Sequence, residues 1–200
     1  MTADILVNAV QENRTTYNVV AQSKGGDPNS VVALGAHSDS VNAGPGINDD
    51  GSGSIGILSV AKALTKFSLT NAVRFHWWTA EEYGLLGSEF YVASLNKTET
   101  DKIALYLNFD MIASPNYVYA IYDGDGSAFN LSGPSGSAQI ESLFEDYFTS
   151  MSLPSIPTEF NGRSDYGPFL DVGIPSGGLF TGAENNKTVD VRLATYTVTI

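Results

Sequence analysis

Apolar positions along this chain switch period repeatedly, and the switches mark alternating strands and helices. Tyr17 to Ala21 and Val31 to Ala36 are short apolar runs that predict strands, divided by a turn at Gly25-Gly26-Asp27-Pro28-Asn29. From about Gly53 to Phe67 the period becomes helical, with Ile57, Val60, Ala61 and Leu64 on one face. Ala72 to Trp78 predicts a third strand, Leu85 to Leu95 a helix, and Ile103 to Phe109 and Tyr117 to Tyr122 two further strands. After a Gly/Ser loop from Asp123 to Gly136, Ile140, Leu143, Phe144 and Tyr147 repeat at helical spacing within Ala138 to Met151. A short helix over Asp165 to Leu170 and a strand at Gly178 to Phe180 follow. The opening Ala3 to Val10 predicts a helix, and Thr188 to Ile200 alternates like an exposed strand. Strands interleaved with helices in this way predict a single α/β domain.

Composition narrows the partners. A net charge of −12 with only ten Lys and Arg argues against nucleic acid or an anionic membrane surface. No stretch reaches the ~20 apolar residues of a membrane span, and the N-terminus lacks the basic and apolar regions of a signal peptide. With no cysteine, a metal site would be built from carboxylate and imidazole, donors that suit zinc and its divalent neighbours. Asn13, Asn96, Asn130 and Asn186 each begin a glycosylation triplet.

The candidate chemistry follows the predicted strands. His37 and Asp39 come directly after one, and residues two apart in extended chain share a face, so Asp39 is placed to accept the second imidazole N–H. The Gly-rich loop Gly44 to Gly46 delivers Asn48-Asp49-Asp50 to the start of a helix. Capping explains one of these carboxylates, and the other is costly unless a cation or the helix dipole compensates it. The following Gly51-Ser52-Gly53-Ser54-Ile55-Gly56 fits the dinucleotide fingerprint only as letters, because it follows a loop rather than a strand. Glu81 and Glu82 stand at a bend after a strand, where neighbouring side chains diverge, so one can ligate metal while the other acts as general base. Asp110 ends an apolar strand, where an unpaired carboxylate is strongly disfavoured. His76, about 20 Å along an extended chain from Glu82, reads as a core histidine.

Taken in order, H-S-D-S, G-I-N-D-D-G-S-G, A-E-E-Y-G-L-L-G-S, N-F-D-M-I, G-R-S-D-Y-G-P-F and G-L-F-T-G-A-E resemble the co-catalytic dizinc aminopeptidases of metallopeptidase family 28, in the fungal vacuolar and secreted branch. The likeness runs from about Tyr17 to Glu184. It implies a three-layer α/β/α sandwich on a mixed, mostly parallel central sheet, and a peptide substrate with a free N-terminus. Carried over by position, His37 and Asp110 ligate one zinc, Asp49 bridges two, Glu82 ligates the other and Glu81 is the general base. Asp39 backs His37, and Arg163 lies in a motif that lines the substrate site. The resemblance also implies a secreted or vacuolar location. It ends before the segment that supplies the family's second zinc histidine, so the domain is expected to be incomplete, with a divergent tail over 185–200. Two other readings stay open: a fragment that binds one metal or a peptide without turnover, and a glutaminyl-cyclase-like acyltransferase with one zinc.

Overall fold

The computed structural model describes residues 3–182. Seven strands form one sheet: β1 (Val19–Gln22), β2 (Asp27–His37), β3 (Asn71–Trp78), β4 (Ile103–Phe109), β5 (Tyr119–Tyr122), β6 (Ser155–Thr158) and β7 (Ser176–Phe180). The helices between them are α1 (Gly51–Leu64), α2 (Leu86–Ser94), α3 (Lys97–Thr100), α4 (Ser137–Ser150) and α5 (Gly167–Asp171). The spatial order is β1-β3-β2-β4-β7-β5-β6. Pairings β2–β3, β2–β4, β4–β7 and β5–β6 are parallel, while β1–β3 and β5–β7 are antiparallel. The sheet is therefore mixed and mostly parallel.

Both faces of the sheet are covered, which is why β2 and β3 read as almost unbroken apolar runs. On one face Ile57, Ala61 and Leu64 of α1 pack on Leu34, Ala36, Val73 and Phe75. Gly177 of β7 sits beside Leu107 in register, and α4 lies so close there that a Cβ on Gly177 would fall 2.5 Å from Ile140. On the other face α2 and α5 bring Val92 and Phe169 onto Trp78, Tyr106 and Ile103. His76 lies in this aromatic layer, fully buried, stacked on Trp78 at 4.6 Å with Nδ1 3.1 Å from the Leu34 carbonyl oxygen. Burial drives its pKa down to about 3, so the ring is a neutral core side chain, as its place in the strand suggested.

The structure corrects the sequence reading in several places. Residues 3–10 form no helix: Ile5, Leu6, Val7 and Val10 are all exposed, and a short helix with no face to bury is marginal in water. The turn expected over Gly25 to Asn29 ends early, since Asp27 already pairs with Asn71 and a register shift takes up the irregularity before Val31. Strand β6 and the single-turn α3 carry too few apolar residues to register as periods, and β6 exists by pairing with β5. The strand expected over 188–200 lies outside the described residues. Among the described residues no helix is long and apolar enough to cross a membrane.

Candidate metal centre

Parallel register brings the candidate residues together. Gly35 pairs with Asn108, so two residues further along, His37 and Asp110 leave adjacent strands side by side. His37 also pairs with Trp78, three residues before Glu81. The loop before α1 then folds Asp49 over the same strand ends. As a result the His37 Nε2 lies 3.0 Å from Asp49 Oδ1, 3.5 Å from Asp110 Oδ1 and 3.8 Å from Glu81 Oε2. The imidazole is 1% exposed, while Asp49 remains 37% exposed and opens the cluster to solvent.

These groups crowd one another without hydrogen bonding. The His37 Nε2 and the Asp110 Oδ1 are both buried and have no hydrogen-bond partner, although carboxylate oxygens stand at contact distance. Burial lowers the His37 pKa, but Asp110, Asp39 and Asp49 outweigh it and the net displacement is upward. Burial likewise pushes the Glu81 carboxyl up to about 8; His37 opposes this, and Asp110, Asp165 and Glu82 add to it. Burial raises Glu82 too, and Asp49 is its strongest like-charge neighbour, which puts the fourth carboxylate beside the same loop. Clustered carboxylates around one imidazole, with unpartnered lone pairs facing inward, are the donor set a divalent cation satisfies.

Asp49 and Asp50, joined by a cis peptide, have separate duties. One oxygen of Asp50 also comes within 4.8 Å of His37 and Asp110. Its oxygens are already committed, however: Oδ1 accepts from the Gly53 and Met111 amides at 2.9 and 3.1 Å, and Oδ2 accepts from the His37 amide at 3.1 Å. Asp50 is thus the α1 cap and the tie between β2, α1 and the end of β4. Its own pKa rises to about 8, through burial and then the nearby Asp110. Gly53 makes the approach possible, since a Cβ there would lie 1.9 Å from the Phe109 carbonyl oxygen. Asp50→Ala leaves three backbone N–H groups without partners, at roughly 1–3 kcal/mol each. Urea unfolding is expected to show a loss of about 3 kcal/mol or more, and a loss below about 1 kcal/mol would show that water replaces the carboxylate.

Asp39 departs from its expected pairing. The His37 Nδ1 contacts the Asp39 backbone oxygen at 3.1 Å, and the carboxylate Oδ1 is 3.6 Å away. Strand β2 ends at His37, so the two-residue rule no longer aims the side chain. The Asp39 carboxylate accepts instead from the Glu81 and Glu82 amides at 3.0 and 3.3 Å, fixing the bend from which those two side chains diverge. Glu82 Oε1 in turn accepts from the Val41 amide at 3.1 Å. Arg163 is exposed, and its amide donates to Asn161 Oδ1 at 3.2 Å. Its neighbour Ser164 reaches inward and donates to Asp110 Oδ2 at 2.7 Å. That contact ends a buried relay in which Trp78 Nε1 donates to the Tyr106 hydroxyl, Tyr106 to Asn108 Oδ1 and Asn108 Nδ2 to Ser164 Oγ. Ser164 and Asn108 went unassigned in the sequence reading, which had only their position in the G-R-S-D and N-F-D motifs to go on. Asp165 beside them is 1% exposed, and burial lifts its pKa to about 7.

Known proteins resemble this chain over most of its length. The model of peptidase family M28 matches residues 18–191. The chain is 72% identical over 188 residues to the probable leucine aminopeptidase 2 of Aspergillus fumigatus, covering 94% of this chain and 38% of that protein. Identity to the leucine aminopeptidase 2 of Trichophyton equinum is 66% over 187 residues, covering 92% and 38%. Among solved structures, a zinc aminopeptidase from Bacillus subtilis superposes with a TM-score of 0.71 at 27% identity, covering 86% of this chain and 42% of that one. An aminopeptidase from Aneurinibacillus sp. strain AM-1 gives 0.70 at 30%, covering 82% and 39%. The chain therefore spans less than half the length of these relatives.

Proposed function

Because this chain belongs to peptidase family M28, with the family match running over residues 18–191, we propose that it carries the zinc-dependent centre of an aminopeptidase that removes N-terminal residues from peptides. The observation that carries the reading is the approach of Asp49, Asp110 and Glu81 to within 3.0–3.8 Å of one unpartnered imidazole nitrogen. His37 and Asp110 would hold one zinc, Asp49 would be shared with a second, and Glu82 would ligate that second ion. Bound zinc supplies Lewis acidity, lowering the pKa of a water and polarising a carbonyl.

The protein's own groups do the rest. Glu81 takes the proton of the attacking water as the new C–O bond forms, and hands it to the amine as the C–N bond breaks. In the metal-free protein burial raises its pKa, the direction that favours holding a proton between the two steps. Asp39 keeps the Glu81 and Glu82 backbone in place, so one carboxylate can carry protons while the other ligates. Ser164 ties up Asp110 Oδ2 and leaves Oδ1 turned to His37. Arg163, exposed beside Ser164, would hold the peptide backbone.

Among the described residues one imidazole faces this centre. The chain has two histidines, and His76 is sealed in the aromatic layer. We assign tight binding to one zinc and weak binding to the second within this chain. A secreted or vacuolar setting fits the exposure of Asn13, Asn96 and Asn130, the described glycosylation triplets. The test is hydrolysis of aminoacyl anilides by the purified protein before and after zinc is stripped by a chelator and restored. Activity should be lost with the metal and return with it, whereas turnover that persists in the stripped protein would refute the reading.

A further inference from the structure

A second acidic cluster lies on the opposite edge of the sheet. Strand β5 runs antiparallel to β7, so its carboxyl end emerges where β4 and β7 begin, away from His37 and Asp110. There Asp123, Asp125 and Glu141 each bring one carboxylate oxygen to within 4.8 Å of the others. Asp123 follows β5, Asp125 stands on the loop that leaves it, and Glu141 faces them from the second turn of α4.

Asp123 is fully buried. Its Oδ2 accepts from the Ala128 and Phe129 amides at 3.1 and 2.7 Å, and its Oδ1 is shielded from solvent without any partner. Glu141 is 6% exposed, with Oε2 accepting from the Asp125 amide at 2.9 Å. Asp125 is exposed, and its Oδ1 accepts from the Ser127 amide at 2.7 Å. Among the described residues no lysine, arginine or histidine pairs with any of the three. Two buried carboxylates beside a third, one of them with an unpartnered oxygen, form an arrangement that costs free energy until a cation joins it.

The donors define that cation. All are oxygens, with no imidazole or thiolate to favour zinc. Oxygens that all lie within 4.8 Å of one another can share a single calcium ion at about 2.3–2.6 Å each. The spacing Asp123, Asp125, Ser127 is the alternation of positions 1, 3 and 5 in calcium loops, and a buried glutamate from a following helix can chelate with both oxygens. We propose that Asp123, Asp125 and Glu141 form a structural calcium site that staples the loop after β5 to α4, separate from the zinc centre.

The experiment is calorimetric titration of the zinc-loaded protein with calcium chloride in calcium-free buffer, with thermal unfolding in parallel. One calcium per chain is expected, with Tm rising by ~5–10 °C at about a hundredfold excess over Kd. Asp125→Asn, at an exposed position, should leave the calcium-free Tm and the zinc content unchanged and weaken calcium binding at least ~10-fold. Glu141→Gln should weaken it as much or more. No heat and no Tm shift up to about 10 mM calcium, well above the weakest extracellular sites, would overturn the proposal. So would full calcium affinity in both variants, or an equal response to magnesium.

Discussion

Glu81→Gln should retain the zinc of the parent protein and lose at least ~10²-fold in kcat, while Glu82→Gln should lose zinc. The two residues are neighbours of one chemical type, so composition cannot separate them. Position separates them: Glu81 Oε2 stands 3.8 Å from the His37 Nε2, inside the buried cluster, and Glu82 anchors to the Val41 amide beside Asp49. Glutamine keeps the shape and hydrogen-bonding capacity of Glu81 but cannot accept a proton at neutral pH, so the effect should fall on kcat rather than on metal content. Metal analysis alongside kcat and KM decides the matter. Equal zinc loss in both variants would show that Glu81 is a ligand and that another group moves the proton.

The second large effect concerns stoichiometry. After dialysis the protein should retain close to one zinc, and His37→Ala should remove it. The His37 Nε2 is the one imidazole nitrogen facing Asp49 and Asp110, and the other histidine is stacked against Trp78 with its pKa held near 3. Even groups that only support a metal ligand typically cost ~10–100-fold in metal affinity when removed, so deleting the ligand itself should cost at least that. A second zinc held by Asp49 and Glu82 without an imidazole should wash out, and turnover should rise when zinc is supplied in excess. Two zinc ions that survive dialysis in the parent, or one that survives His37→Ala, would show that ligation rests on other residues.

Much of the centre was legible in the chain because strand ends and chemistry coincide there. The apolar runs to Ala36, Trp78 and Phe109 mark three parallel strands, and a charged residue immediately after such a run has few places to go but the sheet edge. That reasoning put His37, Glu81, Glu82 and Asp110 at strand ends, and the ~20 Å of extended chain between His76 and Glu82 set His76 apart as a core residue. The mixed sheet followed from the family resemblance, and the α/β alternation from periodicity alone.

What the chain could not disclose depends on contacts between residues far apart in sequence. Asp49 and Asp50 are equivalent as letters, and only the amides of His37, Gly53 and Met111 commit Asp50 to the cap and leave Asp49 facing the histidine. Asp39 was aimed at the imidazole by strand geometry, but the strand stops at His37 and the carboxylate turns to Glu81 and Glu82. The relay from Trp78 through Tyr106, Asn108 and Ser164 to Asp110 spans 86 positions of chain, 78 to 164, and has no local signature. Local patterning thus determined which segments are strands, which are helices and which side chains sit at their ends. Register between strands and the folding of loops over them decided which oxygen meets which nitrogen, because hydrogen bonds and ligand contacts depend on ångström-scale distances that only the packed chain defines.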